Sequence, residues 1–157
     1  MVHMADRAWT MDALHLACAM ARSTEAGITL VKMIPVQHLS WLGTEDGYRN
    51  LTQQDWDNLS SYRATAEDYG VCLSLEPFQY VTLPEAISDA AEYFDAQTVF
   101  ATLPKYTIPY VRRFHMWTLQ RRLARQHRRF YSLERPTGPT SLEWSPSVLI
   151  QPTAKQR

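Results

Sequence analysis

Short β-branched, apolar runs alternate with helix-period segments along most of this chain, and that alternation predicts its architecture. Val2 and Met4 share one face of a short opening strand. Thr10 reads as a helix cap, with Asp12 in the first turn where the helix dipole favours an anion. Met11, Leu14, Cys18 and Ala21 then recur at spacings of three and four, the mark of one apolar helix face. Gly27 closes that helix, and Ile28 to Ile34 follows as a buried parallel strand stopped by Pro35. A loop with Trp41, Gly43 and Gly47 leads to a second helix from about Thr52, with Trp56, Leu59, Tyr62, Ala66 and Tyr69 inward and Gly70 as its stop. Val71, Leu73 and Leu75 alternate with polar or small neighbours as a third strand. Thr82-Leu83-Pro84-Glu85 has the pattern of a capping box, opening a helix with Ile87, Ala90, Ala91 and Phe94 inward. Thr98 to Ala101 is the fourth strand, a basic helix runs from about Phe114 to Gln126, and Phe130 to Leu133 is the fifth strand.

Strands and helices alternating at this spacing imply right-handed parallel crossovers. The expected fold is α/β: a doubly wound, five-stranded parallel sheet with helices on both faces. The domain covers residues 1–134, and 135–157 forms a C-terminal extension whose Ser147–Ile150 run is a candidate extra edge or dimer strand. In such sheets ligands sit beyond the carboxyl ends of the strands, where the strand order reverses. The loops after the first and fourth strands are therefore the place to look for chemistry.

Composition adds bounds. A chain of 157 residues, 45% hydrophobic and 20% charged, suits one folded domain. No apolar run approaches the roughly 18–20 residues that cross a bilayer, and the N-terminus lacks the basic-then-apolar layout of a secretory signal. The expected location is the cytoplasm. Cys18 and Cys72 read as reduced thiols in buried elements. Net charge is zero, yet eleven acidic and two basic residues lie between Glu45 and Asp95, while eight basic and no acidic residues lie between Lys105 and Arg129.

Over residues 1–134 the chain resembles the universal stress protein family, an arrangement shared with adenine-nucleotide alpha-hydrolase-like proteins. The resemblance rests on Met1 to Ala21, with Asp6 where the family's first strand ends in an aspartate, on the Ile28–Pro35 strand, and on the Thr82–Ala101 helix–strand unit. Nucleotide-binding members carry Gly-x2-Gly-x9-Gly-Ser/Thr after the fourth strand. Here those four places hold Thr102, Lys105, His115 and Met116. With Asp6 they are the positions matching the family's nucleotide site, and none keeps the signature residue. Glycines admit close approach of backbone N–H groups to phosphate, and residues 103–114 contain none, only Pro104 and Pro109. The resemblance thus implies the fold and a homodimer formed through Phe130–Leu133 or Ser147–Ile150, while the residues argue against ATP.

The histidines are scattered, and no nucleophile elbow, phosphate loop or metal-ligand spacing appears, so neither catalysis, a cofactor nor a metal is expected. Asp6 caps the turn into the first helix more readily than it pairs with His38 or His115. The Asp55/Asp57 and Glu67/Asp68 pairs read as a wet helix face, and Tyr106, Tyr110, Phe114 and Trp117 as bulk filling a vacated nucleotide site. The expected role is a non-enzymatic stress-response or regulatory protein acting through dimerisation or protein partners. Two other readings stay open. One is a nucleotide or small-anion binder using Lys105, Arg112, Arg113 and His115. The other is a nucleic-acid-associated protein using the Arg121–Arg129 stripe, against which stand the zero net charge and the reading of the nearby aromatics as core.

Overall fold

A computed structural model describes residues 1–36, 51–104 and 109–133. The sheet begins with β1 (Val2–His3), which leads into α1 (Arg7–Thr24) and β2 (Ile28–Pro35). Next come α2 (Gln53–Asp68), β3 (Leu73–Tyr80) and α3 (Leu83–Tyr93). β4 (Thr98–Phe100), α4 (Pro109–Arg125) and β5 (Arg129–Tyr131) complete the alternation. All strand pairs are parallel, in the order β3-β2-β1-β4-β5. The order reverses between β1 and β4, which makes the ends of those two strands the switch point.

Strand alternation divides the interior into two apolar layers. Val2, Ile28, Leu30, Leu75 and Phe100 pack with Leu14 and Cys18 of α1 and with Leu59, Tyr62 and Ala66 of α2. Val31, Met33, Val99 and Ala101 pack with Ile87, Ala90 and Ala91 of α3 and with Leu119 and Leu123 of α4. Adjacent strand residues such as Leu30 and Val31 thus feed opposite cores, as a sheet buried on both faces requires.

Several local expectations are corrected. α1 starts at Arg7 and is capped by Asp6, whose carboxylate accepts from the Trp9 N–H at 3.0 Å. Thr10 lies inside the helix, fully buried, with its hydroxyl accepting from the Ala5 N–H at 3.0 Å. The capping box belongs to α2, where the Thr52 and Asp55 side chains and main-chain N–H groups bond reciprocally. Thr82 caps α3 without any side-chain hydrogen bond. Trp56 is 43% exposed, because the inner face of α2 is made by Asp55, Asn58, Leu59, Tyr62 and Ala66. Cys72 is exposed and Cys18 is buried, both as free thiols. α4 begins at Pro109, five residues before the expected Phe114. The 135–157 extension, with Ser147–Ile150, lies outside the described residues, as do His38 and the Trp41–Gly47 loop.

Candidate functional site at the strand-order reversal

β1 and β4 end side by side, and His3 closes β1. Its ring is buried beside the Thr102 main chain just beyond β4, where the ends of the two strands meet. Burial pushes the His3 pKa down to about 4; a main-chain hydrogen bond at Thr102 opposes this and the Lys32 charge adds to it. The ring is therefore neutral at pH 7, and its Nδ1 is buried with no hydrogen-bond partner.

The loop from β1 to α1 has committed most of its donors. Met4 N–H donates to the Val31 carbonyl at 2.8 Å and Ala5 N–H to the Thr10 hydroxyl. Trp9 and Thr10 N–H groups donate to the side chain and the carbonyl of Asp6. Asp6 is exposed and works as a helix cap. Trp9 then bridges the top of the sheet: its indole N–H donates to the Leu133 carbonyl at 2.9 Å, and its ring lies 6.5 Å from that of His3. Beneath it Phe100 and Tyr131 stack at 5.1 Å. Aromatic bulk does gather at the switch point, but it comes from His3, Trp9, Phe100 and Tyr131. Tyr110, Phe114 and Trp117 do not contribute, being 77%, 63% and 54% exposed. Tyr106 lies outside the described residues.

The signature positions are dispersed. Thr102 follows β4 and meets His3; Lys105 lies outside the described residues. His115 and Met116 sit within α4, in its second turn. Their N–H groups belong to the helical hydrogen-bond ladder, donating toward residues 111 and 112. Of the basic residues grouped with Lys105, Arg113 is exposed, while Arg112 and His115 are half-buried.

An ion pair that the sequence reading missed stands beside this crevice. Lys32 projects from the middle of β2 and donates to Asp55 at 2.8 Å. Asp55 is buried and also accepts from the Thr52 hydroxyl at 2.9 Å. Burial works to raise the Asp55 carboxyl pKa, but the Lys32 and Thr52 bonds outweigh it and hold the group below its ordinary value. A lone lysine within an otherwise apolar strand was the available signal. Among the described residues no three His, Cys, Asp or Glu side chains gather as metal ligands, and no helix is long and apolar enough to cross a membrane.

The class these features define is a doubly wound α/β domain whose switch point is packed with side chains. Comparison with solved structures narrows it to the universal stress protein fold. A universal stress protein solved in complex with cAMP matches with a TM-score of 0.60 and 11% identity, over 85% of this chain and 95% of that one. A universal stress protein family member from Burkholderia pseudomallei matches with a TM-score of 0.54 and 13% identity, over 84% and 93%. A universal stress protein from Archaeoglobus fulgidus matches with a TM-score of 0.51 and 16% identity, over 85% and 96%. No family model and no curated protein sequence matches the chain.

Proposed function

We propose that this universal stress protein-like chain is a non-enzymatic regulatory protein that works through dimerisation or protein partners and does without ATP. The observation that carries the reading is the length of α4. It begins at Pro109, so the places where nucleotide-binding relatives present a glycine and a hydroxyl residue, here His115 and Met116, are interior helix residues. Interior helical N–H groups cannot turn toward a phosphate without breaking the ladder. The burial of the His3 ring beside Thr102 supports the same reading, because it puts a side chain where the ends of β1 and β4 meet. Among the described residues β5 is a terminal strand of the sheet, which makes Arg129–Tyr131 a candidate edge for pairing two copies.

Thermal unfolding with and without ATP, ADP, AMP and cAMP tests the proposal. A native-state ligand at about 100 times its dissociation constant stabilises by about 2.7 kcal/mol. No shift with any of the four is the expected result. A shift would favour a second reading, a nucleotide binder, which draws on the neighbour solved with cAMP. Light scattering after size exclusion reads the oligomeric state directly, and a monomer at all concentrations would remove dimerisation from the proposal.

A further inference from the structure

The solvent face of α4 carries a pattern that neither the core nor the switch point uses. Leu119 and Leu123 turn inward, 1% and 0% exposed. Tyr110, Phe114, Trp117 and Arg121 follow at spacings of four, three and four, which aligns them along the opposite side. The three aromatic residues are among the most exposed large apolar side chains described. Phe114 and Trp117 have ring centroids 6.3 Å apart, and the Arg121 guanidinium stands over the Trp117 ring at 5.3 Å. Arg113 and Arg125 are exposed on the flanks of this stripe, and Arg129 is exposed at the start of β5. Arg122 pairs with Asp89 and Arg128 with Asp95, whereas Arg113, Arg121, Arg125 and Arg129 have no carboxylate partner among the described residues. Between Asp95 and Glu134 the chain holds no acidic residue at all.

We infer that this stripe is a binding surface for single-stranded nucleic acid. The ligand that fits must be a polyanion, since three guanidinium groups without a carboxylate partner among the described residues line the face, and it must also offer flat π surfaces to the aromatics. Unpaired bases on a phosphodiester chain supply both. Phe114 and Trp117 lie side by side as exposed rings, each a surface on which an unpaired base can stack. Duplex keeps its bases stacked internally and offers this face only phosphates. A second copy of the chain fits poorly, because two-fold pairing of α4 with itself sets arginine against arginine. A lipid surface fits less well too: burying Trp117 among acyl chains would carry down the Arg121 charge that stands on its ring.

Fluorescence anisotropy of a labelled oligothymidylate of about 20 nucleotides, titrated with the full chain at several salt concentrations, tests this. Binding is expected to weaken with salt at a log–log slope of about −2 to −3, from roughly 0.7 per phosphate contacted. The F114A/W117A variant should bind at least about tenfold more weakly with the slope unchanged, since stacking on the rings releases no counterions. R121Q/R125Q should flatten the slope by about 1.4. All four positions are exposed, and far-UV circular dichroism verifies that each variant is folded. W117L and R125Q singly read the same two quantities if either double variant fails to fold. The inference is overturned if the aromatic variants bind as well as the parent, or if a duplex of equal length binds as tightly. It is equally overturned by no binding at about 50 mM salt and ~100 µM protein, or by retention on phosphatidylserine vesicles without oligonucleotide binding.

Discussion

His3 shows how one buried ring couples the packing of the switch point to pH. In the unfolded chain its imidazole takes up a proton near pH 6.5, whereas in the folded protein burial delays this to about pH 4. Between those values the unfolded state binds more protons, so stability falls as pH drops from 6.5 toward 4. The full loss is about 3 kcal/mol. Chemical-shift titration should place the His3 transition near 4, and His3→Leu should remove most of the slope of stability across that window. A titration near 6.5 in the folded protein would contradict the burial. Asp55 works with the opposite sign. Its carboxyl is held below the ordinary range, so its contribution is present above about pH 4 and is lost as pH falls further. Asp55→Ala would strand Lys32, whose side chain is 26% exposed, and would remove half of the α2 capping box. The expected cost is about 2 kcal/mol in urea unfolding, reduced because Lys32 can still reach water. Lys32→Met combined with Asp55→Leu should cost less than Asp55→Ala alone, since no unpaired charge then remains.

α4 is the element where this chain departs most from what a phosphate cradle of backbone N–H groups needs. Its early start at Pro109 uses a residue without an N–H where none is required, and it carries the helix through the signature positions. Replacing His115 by glycine and Met116 by serine therefore should not recreate a phosphate loop. The glycine adds about 1 kcal/mol of helix penalty, and the serine removes a side chain that packs against the α3–α4 core. The expected result is a lower melting temperature and no thermal shift with ATP; a nucleotide-dependent shift would mean the helix unwinds at 115. The sequence made much of this legible. The order and type of the described strands and helices were readable from period and punctuation, although β3 runs on through Pro77 to Tyr80, and the strand-end location of the candidate site followed from parallel topology. The start of α4 was not readable, because Lys105 to Tyr110 combines proline with β-branched and aromatic residues, a mixture without a helical period. The burial of Asp55 was hidden for a different reason: its partner Lys32 is 23 residues away and the contact exists only once α2 lies on the sheet. Tyr110, Phe114 and Trp117 were misplaced because aromatic residues at helical spacing usually mark a core face, and here Leu119 and Leu123 already provide it.

At the scale of the whole molecule, the two apolar layers meet through the strands they share. β1 contributes two residues and β4 three, yet Val2 and Phe100 feed the α1–α2 side while Val99 feeds the α3–α4 side. Trp9 adds a tie within the first layer, from the start of α1 to the carbonyl that follows β5. The shared strands require the layers to unfold together, even though the acidic and basic halves of the chain lie on different elements. Leu14→Ala on α1 and Leu123→Ala on α4 test this, since both leucines are fully buried and belong to opposite cores. Each should cost about 2–5 kcal/mol, the range for emptying a leucine site in a packed interior. Each should also keep a single transition, with circular dichroism and tryptophan fluorescence giving the same midpoint. With Trp41, Trp56, Trp117 and Trp144 replaced by phenylalanine, Trp9 fluorescence reports on the first layer and the helical signal on both, so separation of the two probes in Leu123→Ala would show α4 and β5 melting on their own. Coincidence would instead mean that α4, and with it the backbone that carries the arginine–aromatic face, is held by the whole fold.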